Sequence, residues 1–199
     1  LNRGNLIAVD IGGTSTDACV VRDGTPTLKY QAELEKLPLM IPAYNISTIG
    51  AGGGSIARVE GGLLKVGPQS AGAEPGPICY ARGGTLPTFT DAAVVLGYID
   101  PDNFLGGQVK LNAAAARAGL MKHVAEPLGL TDIEAGRGVY DVLLARTVSA
   151  IREITVQEGF DPREFSMLAY GGAGPMFVPL VAREMDVREV IVPQAPAGF

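Results

Sequence analysis

The sequence predicts an α/β protein with a mixed sheet flanked by helices and an inserted α+β subdomain. Residues 5–34 contain three apolar strand patterns separated by turn signals such as Asp23-Gly24. Residues 131–192 alternate between helix and strand patterns. A meander followed by crossover connections favours one sheet with both parallel and antiparallel strands. We therefore expect one lobe from residues 1–45 and 131–199, with the Gly/Pro-rich segment 46–130 as the insert.

Further strands are predicted within and around the insert. The segment 45–49 is a short apolar strand pattern, and residues 56–66 alternate around Gly61-Gly62, which predicts a hairpin. Residues 67–90 are too rich in glycine and proline to form a long helix or a central strand. An ordered loop of this length usually has a function.

Capping residues locate the helices. Asn112 is the expected N-cap of one helix, and Thr131 with Glu134 forms the capping box of a longer one, for which Gly159 is a natural stop. A shorter helix is expected to begin at Thr90-Asp91. The helices are predicted at 90–96, 113–125, 131–158 and 175–185, and the last two strands at 166–170 and 189–192.

Composition excludes several classes of function. The chain has 199 residues and a net charge of −5 without a basic cluster, which argues against nucleic acid as a partner. No apolar stretch reaches about 18 residues, so no membrane span is expected. Cys19 and Cys79 match no metal-binding spacing and indicate a reducing, cytoplasmic compartment. The termini suggest a domain of a longer protein.

The most informative motif is the segment 10–17, Asp-Ile-Gly-Gly-Thr-Ser-Thr-Asp, which follows the apolar run 6–9. Gly12 and Gly13 are able to adopt positive φ, and successive N–H groups in such a turn attract phosphate. Hydroxyls that add neutral donors follow at Thr14, Ser15 and Thr16. The alternative is an ordinary capped β-turn. No Walker motif is present, because the loop leads into a strand and lacks the lysine.

Acidic residues stand at both ends of this loop. Asp10 and Asp17 would repel a bare phosphate, so a hard cation such as Mg²⁺ is the expected mediator. We expect the ion to be held mainly through water by Asp10 or Asp17, because Mg²⁺ keeps several waters. Both residues are candidate catalytic and metal-site groups.

A second glycine loop, 171–175, lies between a predicted strand and a helix. Its expected cofactor contacts are Gly171, Gly172, Ala173 and Gly174. Free N–H groups and the helix dipole favour an anion or a polar ring edge there, and the missing Cβ atoms admit a base or ribose. The alternative is a tight strand-to-helix turn. A dinucleotide fingerprint is discounted, because Phe177 occupies the place of its third glycine.

Three further features are candidates, and the first two have open alternatives. The glycines at 50–54, Gly52 and Gly53 among them, bring the backbone close to a substrate, a phosphate or a neighbouring loop. Asp91 at a helix start is either a catalytic or metal-binding acid or a routine cap. Cys79 is a weak candidate nucleophile, since no base is placed to activate it.

Five segments in order resemble the hydantoinase A/5-oxoprolinase family, which includes acetone carboxylase subunits. They are 10–17, 48–57 (Thr-Ile-Gly-Ala-Gly-Gly-Gly-Ser-Ile-Ala), 66–80 (Val-Gly-Pro-Gln-Ser-Ala-Gly-Ala-Glu-Pro-Gly-Pro-Ile-Cys-Tyr), 90–92 (Thr-Asp-Ala) and 170–175 (Tyr-Gly-Gly-Ala-Gly-Pro). The resemblance covers essentially the whole chain. It implies a ribonuclease-H-like lobe of an actin-like ATPase, with 10–17 as a phosphate loop and 171–175 as an adenosine motif.

The resemblance also implies a reaction. Family members use ATP to phosphorylate an amide or ketone oxygen, so the expected function is ATP binding in a cyclic amidase of hydantoinase or 5-oxoprolinase type. The expected cofactors are ATP and Mg²⁺, and the expected partners are a cyclic amide substrate, an N-terminal lobe of the same protein and a second (B-type) subunit or domain. The isolated chain is expected to be inactive. The alternatives are an acetone-carboxylase-type subunit and a non-catalytic nucleotide-binding module.

Overall fold

The computed structural model describes residues 3–29, 32–34, 37–39 and 41–198. In chain order, the strands are β1 (Leu6–Ile11), β2 (Thr16–Arg22), β3 (Thr25–Pro26), β4 (Leu28–Lys29), β5 (Ala32–Leu34), β6 (Leu37–Leu39), β7 (Ala43–Tyr44), β8 (Ile46–Ile49), β9 (Ser55–Glu60), β10 (Leu63–Ser70), β11 (Ser166–Tyr170) and β12 (Val190–Ile191). The α-helices are α1 (Phe89–Val95), α2 (Ala113–Leu120), α3 (Glu126–Leu128), α4 (Asp132–Ile154) and α5 (Gly174–Glu184).

The chain forms two compact units. The first, here called the sheet unit, comprises Leu1–Asp10, Asp17–Ile49 and Val148–Phe199. The second, here called the loop unit, comprises Ile11–Thr16 and Gly50–Thr147.

The sheet unit is built on a six-stranded mixed sheet. Its strand order is β12-β11-β1-β2-β3, and β8 also pairs with β2. β1 runs parallel to β11, with Leu6 opposite Ser166 and Asp10 opposite Tyr170, whereas β2 and β3 are antiparallel. This confirms the predicted mixed sheet. β1 and β11 are buried along almost their whole length, as expected of central parallel strands.

Helices cover this sheet through their apolar residues. α5 contacts β11 and buries Phe177, Val178 and Val181. In the part of α4 that belongs to the same unit, Ile151 and Ile154 are also buried. Burying a side chain of this size stabilises the fold by about 1.5–3 kcal/mol. None of the helices in the described ranges is both long and apolar enough to cross a membrane.

The loop unit combines a hairpin with helices. β9 and β10 pair antiparallel, with Leu63 opposite Glu60 across the predicted Gly61-Gly62 turn. α1 contacts α2, and the ring of Phe89 lies 4.4 Å from that of Tyr140 on α4. Phe89 is fully buried, so this aromatic pair belongs to the core of the unit.

The predicted N-caps of two helices are confirmed, whereas the helix predicted at 113–125 is an α-helix only to Leu120 and continues as a π-helical turn over Met121–Ala125. The Asn112 side chain accepts from the Ala115 N–H at 2.9 Å, and Thr131 and Glu134 form the expected capping box. α4 ends at Ile154, four residues before the predicted Glu158, and a 3-10 turn follows at Val156–Glu158. Gly159 then adopts the left-handed conformation, with φ of 81°.

The start of α1 differs from the prediction. Thr88, not Thr90, is the N-cap, and Phe89 begins the helix. The Thr88 hydroxyl accepts a hydrogen bond from the N–H of Asp91, and the Asp91 carboxylate accepts one from the N–H of Thr88. This reciprocal capping box satisfies two helix-end donors at once and therefore sets the boundary.

The compact units assign three segments differently from the predicted domains, namely 11–16, 46–49 and 131–147, and the predicted division into domains stays a prediction. Strand β8 lies in the sheet unit because it pairs with β2. Residues 131–147 of α4 lie in the loop unit, where Gly136 faces Leu96 and Gly138 faces Leu64. A Cβ at Gly136 or Gly138 would approach these leucine side chains to 3.2 and 3.0 Å, so the glycines make room for them.

Part of the predicted meander lies outside the described residues. The last of the strand patterns predicted within residues 5–34 includes residues 30 and 31, which the structure does not describe, and the described portions are β4 and β5. β4 pairs with β7, and β5 pairs with β6.

A buried carboxylate anchors the end of the Gly/Pro-rich loop. Asp91 is fully buried and accepts hydrogen bonds from the N–H groups of Ile78, Cys79 and Thr88 and from the Thr88 hydroxyl. These four bonds, between 2.7 and 3.2 Å, offset the cost of burying the charge. The carboxylate therefore ties the Ile78–Tyr80 turn to the start of α1.

We expect Asp91→Asn to lower the free energy of unfolding by roughly 2–3 kcal/mol, because an amide NH₂ would replace an oxygen that accepts from N–H donors. Urea denaturation measures this change, and amide exchange should accelerate in peptides covering 71–80. Asp141→Asn, on an exposed aspartate of α4, is the matched control and should stay within about 0.5 kcal/mol. Equal stability of the two variants would contradict the anchoring role.

Candidate functional site

The loop 12–16, here called the hairpin loop, rests on a second glycine-rich segment. This segment, residues 51–54, is here called the glycine strap. The N–H of Gly53 donates to the carbonyl of Gly12 at 3.0 Å, and the N–H of Gly54 donates to that of Gly13 at 2.6 Å. The hydroxyl of Thr16 donates to the Ala51 carbonyl at 2.6 Å. The strap therefore fixes the hairpin loop through its backbone.

Gly52 and Gly54 of the strap have no room for a side chain, because there the two backbones touch. A Cβ at Gly52 would lie 2.7 Å from the Gly12 carbonyl oxygen, and one at Gly54 would lie 2.9 Å from that of Gly13. A Cβ at Gly53 would lie 3.0 Å from the Thr90 hydroxyl. Gly52 and Gly53 are buried behind the hairpin loop, so the geometry favours a supporting role for them. Their direct contact with a cofactor stays a prediction.

The anchored carbonyls determine where the loop amides point. A trans peptide is planar, and its C=O and N–H point in opposite directions. Since the carbonyls of Gly12 and Gly13 face the strap, the N–H groups of Gly13 and Thr14 point away from it. Within the described residues neither of these N–H groups has an acceptor. Two adjacent donors directed to one side form a binding surface for an anion.

The conformation of the loop glycines differs from the expected one. Neither Gly12 nor Gly13 has a positive φ. Gly13 is exposed, and a Cβ built there would have nothing within 4 Å. Neither backbone strain nor packing against the described residues requires glycine at this position. A requirement for glycine here would therefore come from a ligand that approaches the backbone.

The hydroxyls of the loop have different surroundings. Thr14 is exposed, and its Oγ1 lies 3.4 Å from the Oγ of Ser70. Ser15 is half-buried. Thr16 is buried, and its hydroxyl is bonded to the strap. Of the three predicted hydroxyl contacts, Thr14 is therefore the one that the fold presents to solvent.

The two predicted carboxylates meet in a cleft of the sheet unit. Asp10 lies near the end of β1, and Asp17 lies at the start of β2. The cleft has a volume of about 420 Å³. It is lined by Asp10, Asp17, Ala18, Cys19, Ile46, Thr48 and Tyr170, and is here called the carboxylate cleft.

Charge and burial act together in this cleft. Burial raises the pKa of Asp10, and the nearby charge of Asp17 raises it further. The Thr48 hydroxyl donates to Asp17 at 2.5 Å and so orients that carboxylate. A cation between the two acids would relieve their repulsion. Among the described residues no group of three or more potential side-chain ligands is placed to hold a metal, which leaves any ion here with mostly water ligands.

Sequence reasoning missed Thr48 and Tyr170. Tyr170 lies directly opposite Asp10 in the parallel register of β1 and β11. Burial raises the pKa of its phenol, with additional contributions from the charges of Cys19, Asp10 and Asp17. The sequence does contain a signal for Tyr170, because this residue ends the predicted strand that leads directly into the second glycine loop. The position of Thr48 depends on the pairing of β8 with β2 and had no sequence signal.

In the second glycine loop, 171–174, one residue is exposed to solvent. Gly171 has a φ of +82°, and its N–H donates to the Pro196 carbonyl at 2.9 Å, so it is the turning residue. Gly172 is exposed, has no positive φ, and a Cβ there would meet nothing within 4 Å. Ala173 and Gly174 are buried at the start of α5. Gly172 is therefore the predicted contact that the backbone leaves most accessible.

The remaining candidates, Asp91 and Cys79, are buried in the protein interior. Asp91 has its carboxylate fully buried among protein donors, and its catalytic role stays a prediction that this geometry does not favour. Burial raises the pKa of the Cys79 thiol, and the neighbouring Asp91 adds to the shift. A buried thiol with a raised pKa is a poor nucleophile.

Comparison with known proteins covers the whole chain. Residues 1–199 match the hydantoinase/oxoprolinase family model. The alpha subunit of caprolactamase from Pseudomonas jessenii is 40% identical over 98% of this chain and 28% of that subunit. The gamma subunit of acetophenone carboxylase from Aromatoleum aromaticum is 40% identical over 96% of this chain and 26% of that subunit.

Solved structures agree in fold. The crystal structure of ATP-dependent caprolactamase from Pseudomonas jessenii has a TM-score of 0.91, with 39% identity over 99% of this chain and 29% of that chain. A nucleotide-free structure of acetone carboxylase also has a TM-score of 0.91, with 35% identity over 99% of this chain and 28% of that one. The chain spans less than a third of the length of these relatives. It belongs to the hydantoinase/oxoprolinase family.

Proposed function

We propose that this chain provides nucleotide-binding elements of an ATP-dependent enzyme that activates a cyclic amide for ring opening. The caprolactamase relative is named as ATP-dependent, and the acetone carboxylase structure concerns ATP-dependent carboxylation. Both relatives are similar over nearly the whole chain, so use of ATP is the property most directly supported.

The observation that carries the proposal is the direction of the Gly13 and Thr14 amides. Both N–H groups point away from the glycine strap and have no acceptor within the described residues. Adjacent backbone donors of this kind bind phosphate oxygens, and they require no rearrangement when negative charge develops. We assign the phosphates of ATP to this face of the hairpin loop. The exposed Thr14 hydroxyl supplies a third donor.

Asp10 and Asp17 fit a hydrated Mg²⁺. Both line the carboxylate cleft, and hard cations prefer carboxylate and water oxygens. When bound, Mg²⁺ would neutralise phosphate charge. Thr48 holds the orientation of Asp17, and the partly buried Asp10 is destabilised as an anion until a cation is near.

We assign the adenosine part of ATP to the loop 171–174. Gly172 offers an exposed backbone surface without a side chain, on which a ribose or base is able to lie. Gly171 turns the chain, and the buried Ala173 and Gly174 begin α5. The start of this helix provides backbone donors for a polar edge of the ligand.

A stable cyclic amide resists hydrolysis because it has a poor leaving group. Phosphoryl transfer to the amide oxygen would create a good one. The residues of this chain would position the phosphates and offset their charge, which is the main requirement of such a reaction. A protein nucleophile is not needed for it. This agrees with the two cysteine thiols, whose pKa values are both raised by burial.

A carboxylase is the second candidate. The acetophenone carboxylase subunit is as similar to this chain as the caprolactamase subunit, at 40% identity. The same phosphate-positioning elements would serve phosphorylation of a ketone oxygen. Because both relatives are named as subunits, we also propose that the active enzyme includes a partner subunit or domain.

The substrate class is tested on the complete protein, with its partner subunit where one exists. We expect ADP release from Mg²⁺ and ATP to be stimulated by 5-oxoproline, hydantoin or ε-caprolactam, and to stop when EDTA removes the metal. Stimulation only by acetone or acetophenone with bicarbonate would favour the carboxylase. Absence of both ATP binding and ADP release would overturn the proposal.

Gly13→Ala tests the phosphate assignment. The Cβ has open space and no positive φ to oppose it, so the free energy of unfolding should change by less than about 1 kcal/mol. The same methyl group would block a phosphate at the backbone, and KM for ATP should rise at least roughly tenfold. Gly4→Ala, on an exposed glycine with ordinary contacts, is the control. Wild-type KM in Gly13→Ala would refute the assignment.

Gly172→Ala tests the adenosine assignment in the same way. Since this glycine lacks a positive φ, we expect an unchanged thermal midpoint and a raised KM for ATP. Gly171→Ala should lower the thermal midpoint, because its φ of +82° strains any other residue by roughly 1 kcal/mol or more. KM and melting temperature are to be measured on the same preparations. A Gly172→Ala enzyme that melts normally and keeps its KM would mean that the loop only turns the chain.

A further inference from the structure

We infer that Ser70 is a positioning residue for the proposed phosphate site and acts through the hydroxyl of Thr14. The inference rests on the proposed function, because it adds a residue to the same site. Ser70 is the last residue of β10 and is half-buried. Its Oγ lies 3.4 Å from the Thr14 Oγ1, at the rim of the hairpin loop.

The direction of the hydrogen bonds around Ser70 supports this role. The N–H of Gly72 donates to the Ser70 Oγ at 3.0 Å. A hydroxyl has one donor and two acceptor positions, so Ser70 keeps its proton for another partner. When Ser70 donates to Thr14, the Thr14 proton is left for a ligand. The chain of donors then runs from Gly72 through Ser70 and Thr14 to a phosphate oxygen.

The surrounding backbone holds Ser70 in place. The N–H of Ala71 donates to the Gly54 carbonyl at 2.8 Å, and Gly54 is bonded in turn to Gly13. A Cβ at Gly54 would lie 2.7 Å from the Ser70 Oγ, so the serine hydroxyl occupies the space that this glycine leaves open. Ser70 is thus tied to the same strap that orients the loop amides.

The 3.4 Å contact is longer than an ordinary O–H···O hydrogen bond. Such contacts between catalytic groups often tighten when the ligand binds. An anion that accepts the Thr14 proton would polarise the Thr14 oxygen and strengthen its bond from Ser70, because linked hydrogen bonds reinforce one another. The contribution of Ser70 should therefore depend on the Thr14 hydroxyl.

A double-mutant cycle on the complete protein tests this dependence. Binding of Mg²⁺ with a non-hydrolysable ATP analogue is measured by calorimetry for wild type, Ser70→Ala, Thr14→Ala and the double variant. We expect Ser70→Ala to weaken binding roughly three- to tenfold in the wild-type background and by less than about twofold in the Thr14→Ala background. Ser149→Ala, on an exposed serine of α4, should bind like wild type.

Other outcomes are decisive. Equal weakening in both backgrounds would mean that Ser70 only supports its own loop, and no weakening would mean that it has no role; either result overturns the inference. If the wild-type protein binds the analogue and Gly13→Ala weakens that binding, the proposed function survives this failure. A wild-type protein that does not bind the analogue overturns both.

Thr14 variants keep the inference testable if Ser70→Ala unfolds. Thr14→Ser retains the hydroxyl and should bind the analogue within about twofold of wild type, whereas Thr14→Val should lose roughly three- to tenfold. Because Thr14 is exposed, both variants are expected to fold. Equal binding by Thr14→Ser and Thr14→Val would overturn the role of the hydroxyl pair.

Discussion

Two backbone hydrogen bonds, from Gly53 to Gly12 and from Gly54 to Gly13, are the interaction on which the proposed phosphate-binding face of the hairpin loop depends. They turn two carbonyls toward the glycine strap and, because the peptide is planar, turn the next two N–H groups the other way. The close approach leaves no room for a side chain at Gly52 or Gly54, and the Thr90 hydroxyl limits the space at Gly53. The direction of the loop amides is thus a consequence of packing between two segments far apart in sequence.

The three aspartates predicted as catalytic have unequal surroundings. Asp91 is fully buried and bonded to four protein donors, as a structural carboxylate should be. Asp10 and Asp17 line a cleft, and the pKa of Asp10 is raised by burial and by the charge of Asp17. Because burial and the charge of Asp17 both disfavour the Asp10 anion, Asp10 is a better candidate for binding a cation than Asp91, whose carboxylate accepts four hydrogen bonds.

The loop glycines show a similar division of roles. Gly171 has a positive φ, and Gly52 and Gly54 have no room for a side chain, so the fold itself requires glycine at these positions. Gly13 and Gly172 have neither restriction and are exposed. Glycine at such positions gives no stability to the chain, which is why these two residues carry the proposed ligand contacts.

The sequence by itself determined the mixed sheet, the hairpin at Gly61-Gly62 and the caps at Asn112 and Thr131, because these depend on local patterns and on side chains that bond to nearby backbone. It also located the two glycine loops. Only the tertiary structure decided which loop members point outward, that Asp91 is a buried anchor, and that Thr48, Ser70 and Tyr170 lie beside the predicted groups. These facts depend on strand register and on contacts between distant segments, which a local pattern does not encode.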